Sequence, residues 1–281
     1  MRRLLLCTDL DRTLLPNGAA PESAGARELF TQLANRDDVV VAFVTGRHLA
    51  LVKKAIADYS LPLPEIIVAD VGTTIYRSNR AGWRRMKSWD HLLDADWRGL
   101  SWRDIDRLVG NIAGLSRQEE AKQGKYKLSF CLSLTIDPQP VLCWLETRLR
   151  AAQINAALVW SIDEEKETGL IDLIPQCAGK LPAIRFVMHQ YGFSLKGVLF
   201  AGDSGNDLDV LQSDIPSVLV ANAHPVVKQQ VTSSTVASLH IASGGYLGMN
   251  GNYAAGILEG AAYFWPAIDA WLQRVYTEQG S

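Results

Sequence analysis

The chain predicts an α/β fold built on a parallel β-sheet, with a smaller α+β unit inserted into it. Three observations carry this reading. Short apolar runs alternate with helical stretches toward both ends of the sequence. Val39 to Val44 is apolar without a break, as a strand covered on both faces must be. From Lys125 to Leu134 the pattern becomes a strict two-residue alternation, the mark of a sheet covered on one side only.

Leu4 to Thr8 reads as the first strand, and Pro21 to Ala34 as a helix carrying Leu29, Phe30 and Leu33. Val39 to Val44 follows as a strand, His48 to Tyr59 as a helix, and Ile66 to Val68 as a strand again. This βαβαβ order gives a parallel sheet wrapped by helices. Such sheets bind ligands outside the carboxyl ends of their strands, and Asp9, Thr45 and Asp70 each follow one.

The middle is rich in Arg, Asp and Trp, including Trp83, Trp89, Trp97 and Trp102. Ile105, Leu108, Val109 and Ile112 predict a helix over Asp104 to Ala113. In the alternating stretch, Tyr126, Leu128, Phe130, Leu132 and Leu134 share one face, opposite Lys125, Lys127, Ser129, Cys131 and Ser133. A helix over Val141 to Ala151 and strands at Ala157 to Ile162 and Leu170 to Ile174 complete the inserted unit. After Pro175 the first pattern returns, with a helix over Lys180 to Tyr191 and strands at Val198 to Ala201 and Val218 to Val220. Thr232 to Gly251, rich in Ser, Thr and Gly, reads as a surface loop. The expected division is therefore a core of residues 1–82 and 176–281, with 83–175 inserted.

With 281 residues, 48% of them apolar and 21% charged, the chain is long and apolar enough to bury a sizeable core. A net charge of −2 gives no support to a nucleic-acid or anionic-membrane partner. The apolar run behind Arg2 and Arg3 is broken at Asp9, too early for a signal peptide or membrane span, so a cytoplasmic location is expected. Cys7, Cys131, Cys143 and Cys177 form no Cys-x-x-Cys pair and read as buried thiols, not disulfides or zinc ligands.

The chemistry begins at Asp9-Leu10-Asp11-Arg12-Thr13. Two carboxylates two residues apart repel unless a cation lies between them or one keeps its proton. That spacing fits either a metal site or a nucleophile beside an acid/base. Three further segments stand at comparable positions: Thr45-Gly46-Arg47, Lys180, and Gly202-Asp203-Ser204-Gly205-Asn206-Asp207. An Asp after a strand is often only a cap or turn residue, but four such segments on one rim point to a site. Lys180 brings a charge to a helix N-terminus, a favourable place for phosphate. Arg47 reads as a salt-bridge partner in preference to a phosphate ligand.

In these four segments the chain resembles the haloacid dehalogenase-like phosphatase superfamily, whose motifs match them in order, and the inserted unit resembles its C2-type cap. Within the superfamily it is most similar to sucrose-phosphate phosphatases and related disaccharide-phosphate phosphatases. The residues behind this are Gly202 to Asp207, Val71-Gly72-Thr73 with Ile75-Tyr76, Ile171 to Pro175, and Ala255 to Glu259. The resemblance implies a Rossmann-like parallel-sheet core and magnesium-dependent hydrolysis of a small-molecule sugar phosphate. Sucrose 6-phosphate comes first, with mannosylfructose phosphate, glucosylglycerol phosphate, a broad sugar-phosphate range, or phosphomutase activity as alternatives.

It further implies Asp9 as the nucleophile that forms an aspartyl-phosphate, and Asp11 as the acid/base, whose pKa its charged neighbour should raise. Magnesium is expected on Asp9, Asp203 and the Asp11 carbonyl, with Asp207 behind them. Lys180, Thr45, Gly46 and Asn206 are expected around the phosphate or substrate, and Lys180 also offsets repulsion between the carboxylates. The cap should supply specificity, with Lys127, Gln118 and Glu119 at the sugar hydroxyls. A glycosyltransferase that makes the sugar phosphate is the protein partner this resemblance allows. Arg12 departs from the small residue often found between Asp11 and Thr13, and is expected to face the cap or the sugar.

Overall fold

The computed structural model describes residues 3–79, 82–163, 166–232 and 237–279. Its strands are β1 (Leu4–Thr8), β2 (Val39–Val44), β3 (Ile66–Ala69), β4 (Thr74–Asn79), β5 (Gly82–Arg85), β6 (Leu115–Arg117), β7 (Leu128–Ser133), β8 (Ala156–Asp163), β9 (Thr168–Pro175), β10 (Val198–Gly202), β11 (Ser217–Leu219) and β12 (Leu239–Ile241). The helices are α1 (Ala26–Ala34), α2 (Leu49–Asp58), α3 (Lys87–Asp94), α4 (Trp102–Val109), α5 (Pro138–Ala151), α6 (Lys180–Tyr191), α7 (Leu208–Leu211), α8 (Pro225–Thr232), α9 (Ala254–Phe264) and α10 (Pro266–Gln279).

Eight strands form one sheet in the order β12-β11-β10-β1-β2-β3-β4-β5. From β12 to β3 the neighbours are parallel. The chain leaves β1 toward β2 on one side and returns through β10 on the other, so the topology switches at β1/β10. Open sheets of this kind bind ligands at that point. The sheet is mixed, not wholly parallel, because β4 and β5 add to β3 as an antiparallel hairpin. That hairpin carries the large sheet to Arg85, past the expected division at 82.

The sheet is packed on both faces. Leu29, Phe30, Val52, Ile257 and Ile268, from α1, α2, α9 and α10, cover one side. Ala183, Ile184, Val210 and Val227, from α6, α7 and α8, cover the other. All of β2 is buried, which is why it reads as an unbroken apolar run.

A separate antiparallel sheet, β6-β7-β9-β8, packs against α4 and α5. Helix α4 begins at Trp102 behind a Ser101/Asp104 capping box and ends before Gly110, whose φ of 72° stops it short of Ala113. The alternating stretch is strand only from Leu128, since Gly124 and Lys127 exchange backbone hydrogen bonds in a turn. Its polar side is only partly solvated: Lys127 and Ser129 are buried, with Lys127 reaching Gly46 on the large sheet's rim, whereas Lys125 and Ser133 are exposed. Of the expected loop at 232–251, residues 233–236 lie outside the described residues, and β12 occupies part of the remainder. Cys7 is buried as expected, whereas Cys143 and Cys177 are exposed, because α5 turns Cys143 outward and Cys177 lies beyond β9.

Candidate active site

The apolar strand β1 ends by delivering Asp9 to the switch point, where its amide is tied to the Ala201 carbonyl of β10 (2.9 Å). Asp9 Oδ1 accepts from the Leu10 amide at 2.6 Å, and Oδ2 lies 2.9 Å from Lys180 Nζ. Lys180 starts α6, is fully buried, and also lies 2.6 Å from Asp207 Oδ1. Asp207 Oδ2 accepts from the amides of Asp203 and Ser204, each at 3.0 Å, which shapes the loop after β10. Asp203 Oδ1 accepts from the Thr13 hydroxyl at 2.8 Å, while Oδ2 lies 3.7 Å from Arg12 Nε.

Asp9, Asp203 and Asp207 thus bring one carboxylate oxygen each within 4.8 Å of the others, all of them buried. Three buried carboxylates face one buried ammonium and a guanidinium at the edge. Hard oxygen donors carrying excess negative charge fit a divalent cation such as magnesium. Asp207 is already engaged by Lys180 and two amides, so it braces the cluster, leaving Asp9 and Asp203 as the side chains best placed to hold an ion.

Burial pushes the Asp9 carboxyl up to about 7, with Lys180 pulling against it and Asp207 and Asp11 adding to it. Asp203 is raised well above the carboxylate range, again by burial first and then by Asp207 and Asp9. For Lys180 burial works downward, but Asp207 and Asp9 override it and the ammonium is held more firmly than usual.

Asp11 corrects an expectation: its carboxyl is lowered, not raised. Burial works upward there, but the Arg47 guanidinium overcomes it, gripping both oxygens at 2.7 Å and 2.5 Å, and Asn17 donates a further bond at 2.7 Å. Arg47 is therefore an ion-pair partner, as its chemistry indicated. Arg12 is also turned differently from expectation, toward Asp203 and the Asn222 carbonyl instead of the cap.

Thr45 is buried at the end of β2, its hydroxyl accepting from the Arg47 amide at 3.2 Å. The Gly46 carbonyl lies 3.4 Å from Lys127 Nζ, which is 3.9 Å from Asp70 Oδ1. Lys127 thereby reaches from the smaller sheet to the rim. Asp70, Val71 and Gly72 take φ values of 54°, 58° and 87° in succession. This left-handed turn presses Gly72 against Gly179, so that a Cβ on Gly72 would lie 2.2 Å from the Gly179 carbonyl. Close backbone contact there sets the start of α6, and with it Lys180.

Beside Lys127, the smaller sheet presents buried Ser129, Ser161 and Asp172, with the Ser129 hydroxyl bonded to Asp172. Gly205 meets the same sheet, since a Cβ there would lie 3.0 Å from the Trp160 carbonyl. Asn206 follows, half-buried and bonded to the Ser204 hydroxyl at 3.1 Å. Gln118 and Glu119 are not drawn in: the Gln118 amide reaches the Phe130 carbonyl (3.4 Å) and Glu119 is exposed. Among the described residues neither forms a hydrogen bond or ion pair with the carboxylate cluster. Sequence reasoning had placed Asp70 on the rim and Ser129 on the polar face of the alternating stretch, but had not singled out Ser161 or Asp172 for this face. Their signal, a polar residue where a covered strand should be apolar, is visible only once the coverage is known.

The family model for sucrose-6F-phosphate phosphohydrolase matches residues 2–265. The chain belongs to the sucrose-6F-phosphate phosphohydrolase family. It is a phosphatase of the haloacid dehalogenase-like superfamily. A HAD-like hydrolase of Nitrosococcus oceani is 42% identical over 276 residues, covering 97% of this chain and 74% of the relative. The mannosylfructose-phosphate phosphatase of Agrobacterium fabrum is 29% identical over 222 residues, covering 79% and 84%. In fold, the chain is similar to the sucrose-phosphatase of Synechocystis solved with sucrose and phosphate, with a TM-score of 0.78 and 24% identity over 94% of this chain and 98% of that one. No helix among the described residues is long and apolar enough to cross a membrane.

Proposed function

We propose that this phosphatase hydrolyses a disaccharide phosphate, sucrose 6-phosphate foremost, with magnesium and through an aspartyl-phosphate on Asp9. The observation that carries the reading is Lys180, buried between Asp9 and Asp207 within a cluster whose carboxylate oxygens lie within 4.8 Å of one another. Residues 1–85 and 176–281 form the catalytic body of this reading, and 86–175 its cap.

In the first half of the reaction, an Asp9 oxygen attacks phosphorus and the bond to the sugar oxygen breaks. Asp11 gives that oxygen a proton, and in the second half takes one from the water that attacks the acyl-phosphate. Ionised and held by Arg47, Asp11 is set for the second half; donation in the first requires it to leave that guanidinium and take up a proton. Thr45, the Gly46 backbone and Lys180 surround the equatorial oxygens, where charge spreads in the transition state. A magnesium ion on Asp9 and Asp203 would supply the remaining positive charge. Lys127, Ser129, Asp172 and Asp70 form the polar wall that meets the sugar.

The family's own description supports sucrose 6-phosphate, and the Agrobacterium relative supports mannosylfructose phosphate as the second reading. Measuring kcat/KM with magnesium across both substrates, glucosylglycerol phosphate and hexose monophosphates decides between them. Sucrose 6-phosphate is expected to lead by at least about tenfold. Equal turnover of hexose monophosphates and disaccharide phosphates overturns the assignment.

A further inference from the structure

Arg12 occupies a conformation that opposes its own side chain. Its φ is 60°, in the left-handed region where an L-residue other than Gly, Asn or Asp is strained. The backbone is nevertheless clamped at both ends: the Arg12 amide donates to Asn17 Oδ1 (2.8 Å) and its carbonyl accepts from Asn222 Nδ2 (2.6 Å). Tyr253 holds Asn222 in turn, donating its amide to Asn222 Oδ1 at 2.8 Å. The side chain lies along Gly18, where an added Cβ would approach its Cγ at 3.4 Å, and places Nε 3.7 Å from Asp203 Oδ2. Strain held in place by this many contacts points to a role for the side chain they direct.

We propose that Arg12 is a fixed counter-charge of the metal site, which partly neutralises Asp203 and thereby weakens the grip of the cluster on its divalent cation. The inference rests on the reading that Asp9 and Asp203 hold magnesium. Asp203 is surrounded by Asp9 and Asp207, and Lys180 is within reach of those two. Arg12 therefore supplies Asp203 with positive charge that the ion would otherwise provide alone. Its fixed guanidinium also opposes an arriving dication, because like charges at this range repel through a poorly screened medium.

The test is magnesium binding to the full chain by titration calorimetry without substrate, comparing the native protein with R12G, R12N and R12K. Gly and Asn accept the left-handed backbone and remove the charge, whereas Lys keeps it. R12G and R12N should bind magnesium about fivefold more tightly, and R12K within about twofold of native. Unchanged or weaker binding in R12G and R12N overturns the proposal, as does equal tightening in R12K. So does a raised KM with unaltered magnesium affinity, which would make Arg12 a substrate ligand. If R12G and R12N unfold in EDTA, refolding on addition of magnesium supports the counter-charge, and failure to refold overturns it. Absence of magnesium binding by the native protein would instead remove the metal-site reading itself.

Discussion

Around Asp9 the charged side chains touch: Lys180 lies 2.9 Å from Asp9 and 2.6 Å from Asp207, and the amides of Asp203 and Ser204 fix the other Asp207 oxygen. Around Lys127 the contacts are longer, 3.4 Å to the Gly46 carbonyl and 3.9 Å to Asp70, and the smaller sheet adds buried Ser129, Ser161 and the Ser129-bonded Asp172. Both regions are buried, so the difference lies in how firmly their polar groups are committed to each other. The first is locked and suited to one reaction on one small, symmetric group. The second is a looser polar wall, able to trade internal contacts for the hydroxyls of a sugar. In the proposed reading the phosphate end sets the chemistry, and the sugar end sets the substrate.

The comparison breaks first at Asp9. Asp9→Asn removes the proposed nucleophile, and kcat should fall by roughly 10⁴-fold or more, measured by phosphate release at saturating substrate. Residual turnover within tenfold of native would place the reaction elsewhere.

Gly72→Ala tests whether the locked region depends on its backbone contacts. With a Cβ driven to 2.2 Å from the Gly179 carbonyl at a φ of 87°, a loss of about 3 kcal/mol in urea unfolding is expected. A displaced Lys180 should lower kcat along with it. A neutral effect would mean that the turn at 70–72 does not set the start of α6.

Proton linkage distinguishes the buried cluster from an exposed one. In the folded, metal-free protein Asp9 keeps its proton up to about 7, whereas the unfolded chain releases it near the ordinary carboxylate value. The folded state then binds more protons than the unfolded state between pH ~4 and ~7, so stability falls as pH rises through that window. Asp203 acts in the same direction and Asp11 in the opposite one. Asp9 alone corresponds to about 4 kcal/mol, offset in part by Asp11, so a fall of a few kcal/mol is expected in EDTA, shrinking when magnesium is added. Stability that rises across this window would contradict the burial argument.

At the sugar end, Lys127→Ala should raise KM for the disaccharide phosphate and lower kcat/KM by about tenfold, with kcat changed less. An equal loss in kcat and no change in KM would move Lys127 from the sugar wall to the reacting centre.

The legibility of the sequence follows the same division. Helix α6 was readable from Lys180 to Tyr191 because Ile184, Val187, Met188 and Tyr191 fall in helical register and Pro182 is tolerated in the first turn. Asp9 and the Gly202–Asp207 loop were readable because each stands at the end of an apolar strand, and Lys180 because it opens α6. Helix α9 was not assigned, since Ala254 through Ala262 are buried all round and leave no 3.6-residue stripe to detect. The hairpin β4–β5 hid behind Arg77, Arg84 and Arg85, polar residues on an outer strand of the sheet. Ser129 faces Asp172 only through the register of β7 and β9, strands 43 residues apart at that pair. Asp11 shows most clearly what proximity in sequence omits. Its nearness to Asp9 argued for a raised pKa, but Arg47, 36 residues along, decides the opposite.

The most direct test is to mix enzyme and sucrose 6-phosphate with magnesium, quench in acid within the first turnover, and map phosphate onto peptides by mass spectrometry. One phosphoryl group on Asp9 is the expected result. Phosphate on Asp11 or Asp203, or on no residue while product still forms, would contradict it.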